Sequence, residues 1–442
     1  MKNSGQHRDW ISRARSRSVT IAFAFVVVFA GSVVGTPSAQ AQTFTLLHSF
    51  QGPTQDGVYP AGELTFDKSG NLYGTTLSGG SSAAGVGTVF KLDTSGKETV
   101  LYNFTGTAGD GSQPAGTIVR YGGNIYGTTY YGGAGDCPAL SGGCGTVFEL
   151  SRGTETVLHS FAGDGGYLPI GGLTRDESGN LYGTTAVGSK GALPPACGNQ
   201  GCGIVFEVSK GQETVLYSFI GRPDGTNPQV SLILDGLGNL FGTTRFGGKW
   251  GQGTVFELSP NLDGTWTEHL LYSFTGGRDG AQPAAIVMDV KGNLYGTGRL
   301  GGHITQAGNC KQIGCGVVFK MVQNANGTWT ERVLHFFGDT VGDGQQPFGN
   351  LVRDKRGNLY GVTTYGGLNG LGTVFKVDAT GQEMVLHTFT GGPTDGAKPT
   401  AGLAMDASGS LYGTTFSGGD GPAAVCGTGV PRGCGTVFKI TP

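Results

Sequence analysis

The sequence predicts an all-β fold, a ring of seven small antiparallel sheets, from three observations. A Gly-Asn-Leu-Tyr-Gly-Thr-Thr segment or a close variant returns seven times. Each copy travels with three further apolar segments of strand length. The first and last of these segments are out of phase with the repeat, so that together they complete one unit. A period of this size with four strands per unit is the mark of a β-propeller blade.

The Gly-Asn-Leu-Tyr copies start at Gly70, Gly123, Gly179, Gly238, Gly292, Gly357 and Gly409. Gly-Thr-Val-Phe or a variant follows each, starting at Gly87, Gly145, Gly203, Gly253, Gly316, Gly372 and Gly435. Glu-Thr-Val-Leu-Tyr/His-Ser-Phe ends at Phe104, Phe161, Phe219, Phe274, Phe337 and Phe389, and a copy without the Glu ends at Phe50. A fourth segment, such as Gly171-Gly172-Leu173-Thr174-Arg175-Asp176, precedes each Gly-Asn-Leu-Tyr. In the order Gly-Gly-Leu, Gly-Asn-Leu-Tyr, Gly-Thr-Val-Phe, Glu-Thr-Val-Leu these become strands A, B, C and D. No segment has helical periodicity with caps, so essentially no helix is expected. Each small sheet is apolar on both faces and needs neighbours to cover them.

In this phase the chain opens on a lone D strand, Phe44–Phe50, and closes on a C strand, Gly435–Ile440. The seventh blade is therefore expected to be completed by the N-terminal strand, which leaves no open edge. An open solenoid is the alternative, but it would expose two sheet faces.

Residues 1–41 read as a cleaved secretory signal. Lys2, Arg8, Arg13, Arg15 and Arg17 precede an apolar run from Val19 to Val34, and Ser38-Ala39-Gln40-Ala41 offers a cleavage site. An uncleaved anchor is the alternative. Cleavage after Ala41 would remove those five basic residues and Asp9, leaving 24 basic against 30 acidic residues over 42–442. That mild acidity, with no basic run, makes nucleic acid and anionic membrane poor candidate partners. The 86 glycines come with abundant aromatics, a composition of many turns and short strands rather than of disorder.

All eight cysteines lie between strands B and C, two per loop: Cys137 and Cys144, Cys197 and Cys202, Cys310 and Cys315, Cys426 and Cys434. Same-loop pairing in an exported chain predicts four local disulfides. Zinc is the competing reading, but two thiolates per loop are too few for a closed site. The recurrent Asp-Gly-x-x-Pro between D and A (Asp56, Asp110, Asp224, Asp279, Asp343, Asp395, with Asp164 irregular) reads as turn chemistry. So does the aspartate ending strand A. A calcium site would need these oxygens to converge on one point, whereas they stand one per blade. His48, His159, His335 and His387 share one D-strand register with Tyr102, Tyr217 and Tyr272, which predicts a planar packing role. His303 stands alone in a long loop. No metal, cofactor or catalytic residue is predicted, and the usual nucleophile and phosphate-loop motifs are missing.

In an up-and-down meander the B–C and D–A connections share one face, so the long stapled loops define the expected functional face. Short turns mostly line the other, with Trp266 and Trp329 in two longer C–D connections. Tyr130, Tyr131, Phe246, Trp250, Tyr365 and Phe416 follow strand B on the loop face, with Arg245 and Arg299 just beyond it. These are the ligand-binding candidates, since aromatics give large contact area at low entropic cost. The alternative is that they pack beneath their own loops.

The repeats, as in Gly70-Asn71-Leu72-Tyr73-Gly74-Thr75-Thr76 with Gly87-Thr88-Val89-Phe90, resemble the GloVer tandem repeat of bacterial surface and secreted proteins. The resemblance covers Phe44 to Ile440, and the A–B half is also similar to NHL-type propellers. Many members of that family end in an anchoring signal, whereas this sequence stops two residues after its last strand, which implies release or periplasmic residence. The family transfers no catalytic residues. The function expected is a secreted, monomeric, non-catalytic binding or adhesion module for a glycan or protein. The rivals are a glycan-degrading or lactonase-like enzyme with its site at the channel mouth, and a structural envelope component.

Overall fold

The computed structural model describes residues 42–442 except 54–55, 108, 136, 138–141, 163–164, 191–194, 305–309, 311, 423–425, 427–432 and 442. The predicted signal segment and Asp164 lie outside the described residues. No helix among them is long and apolar enough to cross a membrane. The described elements are strands, with one 3-10 turn at Pro195–Gln200.

Seven antiparallel sheets each carry the strand order A-B-C-D. Blade 1 consists of Thr65–Phe66, Leu72–Gly79, Thr88–Leu92 and Glu98–Asn103. Blade 4 consists of Ile233–Leu234, Leu240–Thr244, Thr254–Pro260 and Trp266–Ser273, and blade 5 of Ala281–Met288, Leu294–Leu300, Val317–Gln323 and Trp329–Phe336. Blade 7 takes strands A, B and C from Ala404–Met405, Leu411–Thr415 and Thr436–Thr441. Its D strand is the N-terminal Thr43–Ser49. The closing pair runs Thr43↔Thr441, Phe44↔Ile440, Leu46↔Phe438 and Ser49↔Thr436, so the ends meet as the phase of the repeat requires.

Two repeated contacts explain why this sequence makes blades that stack. Within each blade the strand B glycine lies opposite the strand C phenylalanine, as in Gly74↔Phe90 and Gly242↔Phe256. The missing side chain makes room for the ring, because a Cβ on Gly242 would stand 2.6 Å from the Phe256 Cζ. Between blades, the phenylalanine that ends strand D meets the strand C phenylalanine of the next blade edge-on. Phe219–Phe256 is one such pair, with centroids 5.1 Å apart, and Phe274–Phe319 another at 5.2 Å. Edge-to-face geometry suits the ring quadrupoles. The seam that closes the ring, Phe50–Phe90, has the same form at 5.2 Å and 74°. All fourteen of these rings are fully buried, so no seam is left open.

The polar repeats are architectural, as the sequence predicts. Asp67 accepts bonds from the Asn71 amide and side chain and from the Tyr73 hydroxyl, and Asp354 does the same with Asn358 and Tyr360. Burial alone would raise the Asp67 carboxyl, but these bonds outweigh it and hold it at about 2. In the D–A turns, Asp56 takes the Gln51 and Gly52 amides and Asp395 the Thr390 amide. The D-strand planar residue then clamps that aspartate: His48 to Asp56 at 3.1 Å, Tyr217 to Asp224 at 2.8 Å, His387 to Asp395 at 3.1 Å. Trp266 and Trp329 depart from expectation. They are paired residues at the start of D strands, opposite Pro260 and Gln323, because the C and D strands run on past the usual turn.

Candidate functional site

The A strands converge at the ring axis, and a cavity of about 380 Å³ opens among them towards the B–C and D–A connections. Two registers build it. The lower one is the residue before the leucine or isoleucine of strand A: Glu63, Thr117, Gly172, Ser231, Ala285, Asn350 and Gly402 from blades 1 to 7, all lining the cavity. The upper one is the residue after the strand B threonines, where Leu77, Tyr130, Arg245, Arg299 and Phe416 line the mouth. The turn and core residues around these positions largely repeat from blade to blade, whereas both registers vary, as does the cavity-lining residue after each D–A proline (Ala61, Ala115, Ile170, Gln229, Ala284, Phe348 and Thr400).

The upper register is held from outside by a ring of left-handed residues. The residue before each D–A proline has positive φ: Tyr59, Gln113, Leu168, Asn227, Gln282, Gln346 and Lys398, at 50–63°. Non-glycine residues adopt this conformation rarely, and here the hydrogen bonding accounts for it. Each amide donates to a carbonyl of the preceding blade, as Gln282 N does to Gln252 O and Gln346 N to Cys315 O, both at 2.7 Å. In return the carbonyl takes the amide of an upper-register residue, as Asn227 O does from Arg245 at 3.2 Å. Four of the seven acceptor carbonyls belong to Cys144, Cys202, Cys315 and Cys434. These are the second cysteines of the four predicted disulfides, all of which form: Cys137–Cys144, Cys197–Cys202, Cys310–Cys315 and Cys426–Cys434. The staples thus brace the rim of the cavity.

The side chains of this outer ring orient the inner one. Gln282 Oε1 accepts from Arg245 Nε at 3.3 Å, and Gln346 Oε1 accepts from Arg299 Nε and an Nη at 3.3 and 3.2 Å. Tyr59 stacks flat on Phe416, centroids 4.4 Å apart and 5° between planes. Burial lowers the Arg245 pKa, and the charge of Arg299 lowers it further, with Tyr130 opposing. Burial raises the Tyr130 hydroxyl and Tyr131 adds to it, against a pull from Arg245. Arg245 therefore feels the charge of Arg299 on one side and the Tyr130 hydroxyl on the other.

Of the sequence candidates, Tyr130, Arg245, Arg299 and Phe416 come together in the cavity. Tyr131, Phe246, Trp250 and Tyr365 stand off it. Strand alternation continues past the threonines, so the residue after the lining position points to the other side. Tyr131 pairs with Ser112 and Tyr365 with Gln345, while Trp250 is half exposed on its loop beside Lys249.

Sequence reasoning missed Glu63. It is the single charged residue of the lower register, reaching over Gly402 to accept from the Asn350 amide at 3.0 Å and its side chain at 2.6 Å. Burial drives its carboxyl above the ordinary range, only partly offset by Asn350, Thr117 and Gly402. Its signal in the sequence is that it is the one charge at a position held by Thr117, Gly172, Ser231, Ala285, Asn350 and Gly402 in the other A strands. Two other clusters lie away from the cavity. His303 stacks on Phe336 and bonds Asp339 at 2.7 Å and Arg278 at 2.8 Å. His335, Asp343 and Glu383 bring three potential metal-ligand atoms within 4.8 Å of one another, the one such group among the described residues. Equivalent Tyr–Asp–Glu or His–Asp–Glu groupings recur in other seams, which marks it as blade architecture.

The family model described as the Gloeobacter/Verrucomicrobia repeat matches residues 29–193 and 195–428. The chain belongs to this family. No curated protein matches it. Among solved structures it is similar to an oligogalacturonate lyase from Vibrio parahaemolyticus, with 10% identity, 90% of this chain and 96% of that one covered, and a TM-score of 0.50. It is also similar to a putative gluconolactonase (10% identity, 91% and 92% covered, TM-score 0.41). A third is the extracellular domain of a putative hybrid two-component system from B. thetaiotaomicron, with 12% identity, 91% of this chain and 42% of that one covered, and a TM-score of 0.48. At 10% identity the likeness to the lyase is one of fold alone.

Proposed function

We propose that this chain is an exported, non-catalytic binding propeller that takes its ligand in the central cavity rather than on the tips of the stapled loops. The observation that carries this reading is the convergence of unrepeated side chains from all seven blades on one cavity at the axis of a repeated scaffold. Concave sites lined by apolar groups with a few placed polar ones are where small ligands bind. Export is supported by the basic-then-apolar leader and by four disulfides, which persist in oxidising compartments. The test is a glycan array on residues 42–442 with variants of both groups of aromatics. Tyr130→Ala and Phe416→Ala should abolish the signal, and Phe246→Ala and Trp250→Ala should leave it. The reverse pattern would move the site to the loops.

One observation favours a second reading. Glu63 is an unrepeated carboxyl with a raised pKa on a cavity that also holds two arginines, the equipment of a general acid. Turnover on the same panel that disappears in Glu63→Gln would establish an enzyme instead.

A further inference from the structure

The cavity mouth is divided by chemistry. Blades 4 and 5 contribute Arg245 and Arg299, while Leu77 and Phe416 of blades 1 and 7 form an apolar wall. The two guanidiniums sit in one half-buried cavity, and their charges oppose each other. Each is held along its Nε edge by a neutral glutamine, Arg299 through an Nη as well, which fixes its plane, and no other hydrogen bond to either guanidinium is made among the described residues. Every ion pair among the described residues uses a histidine, so neither arginine has a carboxylate partner there. Glu63, the acid that lines the same cavity, spends its oxygens on Asn350, Thr117 and Gly402. Two desolvated like charges without a counter-charge are costly unless an incoming anion balances them. The fixed planes suit a planar carboxylate, which an arginine grips through paired N–H bonds. The flat Phe416 face, locked by Tyr59, suits the C–H face of a ring, and Ser231 and Asn350 below offer partners for hydroxyls.

Resting on the cavity reading above, we propose that the ligand is a hexuronate, or a glycan end that carries one. Its carboxylate lies between Arg245 and Arg299, and its ring lies against Phe416. A cavity of about 380 Å³ is at the small end of ligand sites, which run roughly 300–1,000 Å³, and fits a chain end rather than a long stretch of polymer.

Titration calorimetry of residues 42–442 with D-galacturonate, D-glucuronate, D-galactose and inorganic phosphate tests this. At least one uronate should bind, with galactose and phosphate at least about tenfold weaker. Arg245→Gln and Arg299→Gln should each weaken the uronate by about tenfold to a hundredfold. Arg299→Lys should weaken it less than Arg299→Gln, and near-UV circular dichroism should show all three variants folded. Galactose binding as tightly as the uronates, with loss in Phe416→Ala, would overturn the carboxylate and leave the cavity reading intact. Phosphate matching the uronates would reduce the site to a bare anion pocket and overturn the ring. No binding by any of the four, with none on the array, would sink both.

Discussion

Adding one methyl group at Gly242 should test the packing rule on which every blade depends. A Cβ there would lie 2.6 Å from Phe256 Cζ, 2.8 Å from Leu232 Cδ2 and 3.0 Å from Phe256 Cε1. Carbon atoms pack best at about 3.5–4.0 Å, so the Phe256 ring would have to withdraw by roughly 1 Å. It has nowhere to go, being fully buried with the Phe219 ring 5.1 Å away. Overpacking of this kind costs about 1–3 kcal/mol. The lower unfolded-chain entropy of alanine returns about 0.4–1 kcal/mol, which leaves a net loss of about 1.3 kcal/mol at the midpoints of the two ranges, and at most about 2.6 kcal/mol, for Gly242→Ala. Phe256→Leu alone should also destabilise, by leaving a void. The double variant should be more stable than the sum of the two losses by at least about 1 kcal/mol, because the smaller side chain makes the room the methyl needs. Gly236→Ala is the control, since nothing lies within 4 Å of a Cβ there. Urea unfolding under oxidising conditions, followed by tryptophan fluorescence, reads all four. Gly242→Ala within about 0.3 kcal/mol of the parent, or strict additivity in the double variant, would refute the reasoning.

Three further outcomes are expected. Replacing Cys310 and Cys315 by serine should cost about 2 kcal/mol of stability from loop entropy, and should also raise hydrogen exchange at the Gln346 amide, which donates to the Cys315 carbonyl; exchange unchanged at Gln346 would separate the staple from the rim. Deleting residues 42–50 should abolish cooperative unfolding, since it bares the Val437 strand and empties the Phe50 seam; a sharp transition of unchanged midpoint would show that the ring does not need its closing strand. Glu98, Glu155, Glu268, Glu331 and Glu383 are pushed up to about 7 by burial, with the turn aspartate of the adjoining seam adding to it. Their folded pKa lies above the unfolded value near 4.5, so their stabilisation is complete below about 4.5 and is lost as pH rises through about 7. Asp67, held at about 2, works in the opposite sense and is lost only as pH falls through that value. The melting temperature should therefore climb on acidification from pH 8 to pH 5, with a smaller climb in Glu331→Gln; a flat or falling profile over that range would contradict the assignment.

What could be read from the sequence was what repeats. Seven copies of Gly-Asn-Leu-Tyr and of Gly-Thr-Val-Phe located the strands, because each copy independently votes for the same turn and the same buried face. The phase of Phe50 and Gly435 revealed closure, and the paired cysteines revealed their partners by sharing a short loop. The site is harder to read for the opposite reason: it is made of what does not repeat. Tyr130, Arg245, Arg299 and Phe416 were visible as exceptions after strand B. Tyr131, Phe246 and Tyr365, one residue further on, fell with them until the backbone showed which way each side chain points. Glu63 hid inside a segment that looked like an ordinary glycine-rich strand, and its neighbour Asn350 is 287 positions away. No local pattern joins two residues whose contact exists only once seven blades have met at an axis.

The pairing of Thr43 with Thr441 has a consequence for how the molecule comes into being. During synthesis the ring's Thr43–Ser49 segment must wait, single, for Thr436–Thr441. Until then the growing chain is an open horseshoe with two raw edges, each able to recruit a strand from another copy. Contacts between segments so far apart are slow to form, because the intervening chain must first be gathered in. Premature termination even a few residues short of Thr441 would therefore release a sticky half-sealed body rather than a slightly shorter version of the same protein.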